Sequence, residues 1–274
     1  MTLQLRPCVP ADIPAAQALT RSFGWPHRVE DWALAARVGF GITATEDDRL
    51  IGTAMAWPYG QDHAALGLVG VPAEMQGQGI GRTLMRALLD ELGERSVILH
   101  ATRAGMKLYE SFGFVGGEEV RQYQGPVKPA AAPASGVRAV AAGDAAQIKA
   151  MDAAATGMQR DVLMDALLAE SEGLMIEAPA QGFALVRAFG RGEIIGPVVA
   201  DTGAEAQALI GTLMAARADR FVRLDVPESA GLGPWLQGWG MGDAGAVVRM
   251  VRGRPPEPAA GGPGLHALAI QAFG

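Results

Sequence analysis

LGLVGVPAEMQGQGIGRTLMRALLDEL, residues 66–92, decides how this chain is read. An apolar run leads into a loop, and the loop into a segment whose apolar residues Leu84, Met85, Leu88 and Leu89 recur at helical spacing. The reading is strand, loop, helix. Within the loop, glycines stand at 77, 79 and 81, next to Arg82. The first turn of a helix has free N–H groups and the positive end of the helix dipole, so it favours an anion. Glycines there remove the side chains that would hold a phosphate away from the backbone. A pyrophosphate fits such a loop, and so does a plain glycine-rich helix cap. The spacing is not the G-x-G-x-x-G of a dinucleotide site, and no lysine follows as a P-loop requires.

Working outward, the chain of 274 residues has the length of one large or two modest domains. KPAAAPASG (128–136) is small, proline-rich and aperiodic, and reads as a linker between residues 1–127 and 137–274. The two parts repeat each other. LRPCVPADIPAAQAL (5–19) is answered by VRAVAAGDAAQIKAM (137–151), with Arg6 and Asp12 matching Arg138 and Asp144; in each, a strand leads to an aspartate expected to cap a helix. The stripe after the glycine loop returns at Leu209, Ile210, Leu213 and Met214. SVILHAT (96–102) matches FVRLDVP (221–227), so that Leu99 faces Leu224 and His100 faces Asp225. LYESFGF (108–114) matches WLQGWGM (235–241), aligning Tyr109 with Leu236. In the first half, strands are predicted at 3–7, 40–46, 50–57, 64–71, 96–101 and 114–124, and helices at 12–22, 28–38, 79–92 and 103–112. Strands and helices alternate only in the centre, so the fold class is α/β with a mixed sheet. The stretch 252–264 reads as a flexible loop and 265–273 as a final strand.

Composition excludes several classes. The net charge of -6 and the absence of a basic run argue against nucleic acid. One cysteine, Cys8, allows no internal disulfide and no cysteine-based metal cluster, and no metal is expected. No apolar stretch reaches the roughly 20 residues of a membrane span. The N-terminus lacks the apolar run of a signal peptide. The expectation is a soluble cytoplasmic protein without membrane partners; oligomeric state is not legible.

Gln76, Gly79 and Gly81 match the Q/R-x-x-G-x-G/A signature of the GCN5-related N-acetyltransferases, the GNAT family. AGMKLYESFGF (104–114) resembles that family's second landmark, a helix tyrosine followed by Gly-Phe. The resemblance covers about residues 3–125; the second half resembles the degenerate acetyltransferase-like domain of tandem members. It implies acetyl-CoA as cofactor. The backbone of Gln76, Gly77, Gln78, Gly79, Ile80 and Gly81, with Arg82 adding charge, would hold the pyrophosphate. The backbone of Leu68, Val69 and Val71 would pair with the pantetheine arm. Tyr109 stands where the family's proton donor to the departing thiolate stands. Many members carry a glutamate base on the strand before the loop, and ALGLVGV (65–71) has none. His100 is one candidate base and a hydrogen-bonded strand-end residue is its other reading; a water chain is equally open. Asp62 and His63 precede the strand and read as loop decoration.

SFGWPHRVEDW (22–32) and AWPYG (56–60) supply aromatic and polar residues for an acceptor pocket, and Trp25, His27, Trp57 and Tyr59 are its candidates. The acceptor expected is a small amine or amino-acid-like molecule. In the second half, Asp201 and Ala204 stand opposite Gln76 and Gly79, Ala206 opposite Gly81, and Leu236 opposite Tyr109, so that half is expected to lack cofactor and catalysis. The alternative to an N-acetyltransferase is a sensor that binds CoA or a metabolite with the same fold.

Overall fold

The computed structural model describes residues 3–128, 136–176 and 181–274. The first half runs β1 (Gln4–Pro7), α1 (Ile13–Ser22), α2 (Val29–Arg37), β2 (Phe40–Glu46), β3 (Arg49–Tyr59), β4 (His63–Gly70), α3 (Ile80–Leu92), β5 (Ser96–Ala101), α4 (Met106–Glu110) and β6 (Val115–Pro126). The second repeats the order as β7 (Val137–Ala139), α5 (Ala145–Thr156), α6 (Asp161–Glu170), β8 (Glu172–Ile176), β9 (Gly182–Phe189), β10 (Gly192–Ala200), α7 (Gly203–Ala215), β11 (Phe221–Pro227), α8 (Gly233–Gly238) and β12 (Gly242–Arg252). A further strand, β13 (Gly264–Ala267), has no counterpart among the described residues of the first half. Most of the expected linker, residues 129–135, lies outside the described residues.

The repeat seen in sequence is built from the same bonds. Arg6 forks onto Asp12 through two 2.6 Å hydrogen bonds, and Arg138 onto Asp144 at 2.7 and 2.8 Å. Neither aspartate caps the helix that follows it. Each accepts instead from the N–H three residues upstream, Val9 at 2.9 Å and Ala141 at 2.7 Å, and so shapes the turn before the helix.

The thirteen strands of the described residues join one mixed sheet in the order β1-β2-β3-β4-β5-β12-β6-β11-β10-β9-β8-β7, with β13 attached to β10. The closing strands cross between halves: β12 pairs with β5 of the first half, and β6 pairs with β11 of the second. β6 and β12 also pair with each other, from Gly242 opposite Gln124 to Val251 opposite Val115. Each half's sheet is thus completed by the other half's chain. Apolar clusters line the sheet: α3 packs on β2–β4 with Leu84, Met85 and Leu88, α7 packs on β7–β10 with Leu209, Ile210 and Met214, and α1, α2, α5 and α6 share a further cluster.

Two expectations for the chain's end are corrected. The strand predicted over 265–273 stops at Ala267, because the backbone leaves the sheet to pack against the first half. The stretch read as a flexible loop is irregular but tied down: the Arg254 N–H donates to Ser96 Oγ at 2.8 Å and the Ala259 N–H to the Ala154 carbonyl at 2.8 Å. No described helix is long and apolar enough to cross a membrane.

Candidate active site

β4 and β5 are parallel and hydrogen-bonded only at their start, from His63 opposite Ser96 to Ala65 opposite Ile98. Beyond that point they part. The cause is a bulge in β4: its register with β3 shifts between Gly67 and Gly70, and Leu68 adopts φ 51. A left-handed leucine costs about 1–2 kcal/mol and needs support. The buried Thr53 hydroxyl supplies it, donating to the Leu68 carbonyl at 2.9 Å. A bulge bends its strand and leaves backbone unpaired. The parted strands open a groove of about 610 Å³ whose walls include Leu68, Val69 and Val71.

The glycine loop closes one end of this groove. Gly79 is the N-cap of α3, with φ 81, and no side chain caps the helix. The N–H groups of Gly77 through Arg82 have no hydrogen-bond partner among the described residues; the first helical bond runs from Thr83 to Gly79. A Cβ added at Gly77 or Gly79 would meet nothing within 4 Å. The glycines therefore do not relieve crowding inside the protein; they allow the left-handed backbone at φ 78 and 81 and leave it bare beside the groove. Arg82 stands at the rim, its guanidinium 5.5 Å from the Phe112 ring centroid. Gln76, Gly77, Gly79, Ile80, Gly81 and Arg82 all line the groove. Gln78 does not, and its side-chain amide turns to Met75 Sδ.

The same place in the second half is filled. Thr202 caps α7, accepting from the Glu205 N–H at 3.3 Å, while Glu205 reaches back to accept from the Thr202 N–H at 2.8 Å. The helix N-terminus thus holds its own carboxylate. β10 and β11 pair only at Glu193–Val222 and Ile194–Arg223 and then part as β4 and β5 do, but β13 lies in the opening. It pairs antiparallel with β10, Val198 opposite Ala267, and the Leu268 N–H donates to the Asp225 carbonyl at 2.8 Å.

Tyr109, on α4, faces the groove of the first half. Its hydroxyl has no hydrogen-bond partner among the described residues, and burial pushes the phenol up to about 12. His100 lies farther along the same groove, at the end of β5. Its Nδ1 is 2.7 Å from the Gln271 carbonyl. A carbonyl only accepts, so Nδ1 carries the proton and Nε2 holds a free lone pair. That Nε2 is buried without a partner among the described residues. Burial pushes the imidazole down to about 4, so it is neutral at pH 7.

Past His100 the groove continues into a cavity of about 190 Å³. Trp25 and His27 line it. Trp57 and Tyr59 do not, and the expectation that they wall the pocket is corrected. Trp57 is fully buried in β3, donating from Nε1 to the Ala35 carbonyl at 2.9 Å, and the Tyr59 hydroxyl donates to the Phe273 carbonyl at 2.6 Å. Both anchor the end of the chain beneath the pocket floor. Asp62 and His63 sit at the far end of β4, away from the groove. The cavity's other walls come from residues that the sequence did not single out: Gln122 on β6, Arg223 on β11, Val247 on β12 and Gln271. Arg223 is neutralised by Asp225 through two 2.9 Å bonds, and Asp225 also accepts from the Gln271 N–H at 3.1 Å. The alignment of Asp225 with His100 was the one signal pointing there.

Residues 12–114 match the model of the Acetyltransferase (GNAT) family, and residues 148–261 match that of an Acetyltransferase (GNAT) domain. No curated protein matches the chain. Among solved structures, a putative acetyltransferase from Pyrococcus horikoshii is 23% identical, with a TM-score of 0.85 over 99% of this chain and 96% of that one. A GCN5-related N-acetyltransferase from Sphaerobacter thermophilus is 16% identical, with a TM-score of 0.65 over 95% and 98%. A tandem GNAT protein from the clavulanic acid biosynthesis pathway is 13% identical, with a TM-score of 0.62 over 94% and 100%. At these identities the likeness is one of fold.

Proposed function

The chain belongs to the GNAT acetyltransferase family and carries two of its domains in tandem, and from that premise we propose that the first half transfers acetyl from acetyl-CoA directly to a small amine. The observation that carries this reading is the row of unpartnered N–H groups at 77–82, opening into the same groove as Tyr109 and His100. The bare N-terminus of α3 fits a pyrophosphate, with Gly77 and Gly79 leaving the approach open and Arg82 adding positive charge at the rim. The free edge of β4 at Leu68 and Val69, with Val71 just past its end, suits the pantetheine arm. Acetyl-CoA, when bound, supplies the acetyl group as a thioester.

The chain's own residues then have defined work. An amine must lose a proton to become a nucleophile. His100 Nε2 is unpartnered among the described residues and held in its tautomer by the Gln271 carbonyl; at about 4 its imidazole is too weak to strip an ammonium outright, and its work is to take the proton from the nitrogen as it attacks the thioester, when that proton turns acidic. Tyr109 keeps its proton at pH 7 and can give it to the departing sulfur. A backbone N–H of the bulged β4 suits the developing charge on the carbonyl oxygen. The 190 Å³ cavity next to His100 suits a small acceptor better than an extended polypeptide, and residues of the second half wall it. The second half serves this reading as pocket wall and support, with its own cleft filled by β13 and Glu205.

The test is release of free CoA from acetyl-CoA over a panel of small amines and amino acids, with a lysine peptide as comparison. Turnover with a small amine, lost in His100→Ala and Tyr109→Phe, is expected. Tight acetyl-CoA binding with no release for any amine would move the chain to the sensor reading.

A further inference from the structure

A second cavity, of about 430 Å³, lies between the halves. The repeat relates it to the acceptor cavity. There the walls include the turn after α1, Arg223, Val247 and Gln122. Here they include Met158 in the turn after α5, Ile98, Val120 and Arg249. Ile98 is the repeat partner of Arg223, as Leu99 is of Leu224. Val120 and Gln122 are those of Val247 and Arg249 at the spacing that aligns Tyr109 with Leu236. The second half has lost its cofactor cleft to β13 but has kept the pocket that would face it, roofed by the stretch 256–264.

The cavity is not merely apolar packing space. The half-buried Arg249 guanidinium has no hydrogen bond or ion pair among the described residues; Glu118, also in the wall, is the acidic group that acts on it and accepts from the Ser229 N–H at 2.6 Å. His266 Nε2 lies 3.2 Å from the Ala200 carbonyl, which fixes the proton on Nε2 and leaves Nδ1 as an acceptor. Nδ1 is buried without a partner among the described residues. The unsatisfied buried acceptor is costly and the cation beside it is unpaired, and one ligand with an anionic end and a donor end would satisfy both. We propose that this cavity binds a small amino-acid-like molecule, its carboxylate on Arg249 and its amine toward His266 Nδ1 and Glu118. The site is distinct from the acceptor pocket and independent of acetyl transfer. His100 lines both cavities and pairs across the sheet with Arg249, so an occupant sits one side chain from the acetyl-transfer groove.

The experiment titrates the standard amino acids one at a time into the whole chain, without acetyl-CoA, by calorimetry. Each hit is repeated with its decarboxylated amine. At least one amino acid is expected to bind and its amine is not. Arg249→Met should weaken binding about tenfold or more, the worth of a charge-assisted hydrogen bond, while Gln122→Ala in the acceptor cavity leaves it unchanged. The chain has four histidines, so imidazole nitrogen resonances resolve in wild-type protein whether or not the variants fold. The His266 Nδ1 resonance should move on titration. Binding lost in Gln122→Ala but kept in Arg249→Met would place the ligand in the acceptor pocket and overturn the proposal. So would no binding by any amino acid, or a His266 resonance that stays fixed under saturation. None of these outcomes touches the acetyl-CoA reading, which is measured by CoA binding and release.

Discussion

Replacing Gly79 with alanine separates a cofactor cradle from a helix cap. Gly79 sits at φ 81 and ψ 0, and a Cβ there meets nothing within 4 Å. The folded chain therefore bears only the backbone penalty of a left-handed alanine, about 1–2 kcal/mol. For a chain of this size that lowers Tm by about 2–8 °C. The new methyl enters the space above the unpartnered N–H groups. Losing one hydrogen bond between those groups and a phosphate costs about 1.5–3 kcal/mol, or about 10- to 150-fold in affinity. Gly231 is the matched control: it has φ 64 and ψ 17, and its Cβ also meets nothing. Gly231→Ala should lose similar stability and bind acetyl-CoA as wild type. Calorimetric titration of acetyl-CoA into the three proteins, with thermal melts alongside, reads both quantities. If Gly79→Ala melts like Gly231→Ala and binds acetyl-CoA like wild type, the motif is a helix cap and the cradle argument fails.

Three further outcomes are expected. Tyr109→Phe should lower kcat by about a hundredfold or more, the range of a general acid, with acetyl-CoA affinity unchanged by calorimetry; unchanged turnover would remove the hydroxyl from the reaction. His27 and His100 are both pushed down by burial to about 4, from 6.5 in the unfolded chain. Between those values the unfolded chain binds more protons, so stability is full above pH 6.5 and falls as pH drops toward 4, by about 3 kcal/mol for each imidazole. Urea melts at pH 7 and pH 4.5 check this, and His100→Phe should flatten the slope. Thr202→Ala should cost about 1 kcal/mol as a lost N-cap and leave acetyl-CoA stoichiometry at one, because β13 still fills the second cleft; a second equivalent would contradict that account.

How much was legible follows how local each feature is. The helix after the glycine loop was predicted at 79–92 and runs over Ile80–Leu92, because the stripe and the glycine before it act within a few turns. Strand β5 falls on its predicted residues for the same reason. Trp57 and Tyr59 misled, since aromatic residues at a strand end look alike in sequence whether they face a pocket or the core. The direction was set by the chain's end, residues 268–274, folding back beneath β3, with Phe273 stacked edge-on against Trp57 at 4.9 Å. The contact joins residues more than two hundred apart, and no periodic pattern announces it.

The sequence by itself determined the local devices. These are the bare glycine loop on a helix start, the tyrosine helix, the repeated arginine–aspartate turn, and the loss of glycines in the second copy. Each depends on bonds between residues a few positions apart, so residue type and spacing suffice. Only the tertiary structure decided what those devices meet. The exchange of β6 and β12 brings Gln122, Arg223 and Val247 to one cavity, and β13 fills the second cleft and carries Gln271 to His100. Strand order is chosen by burial and backbone pairing across the whole sheet, and those forces act between segments that the sequence holds far apart.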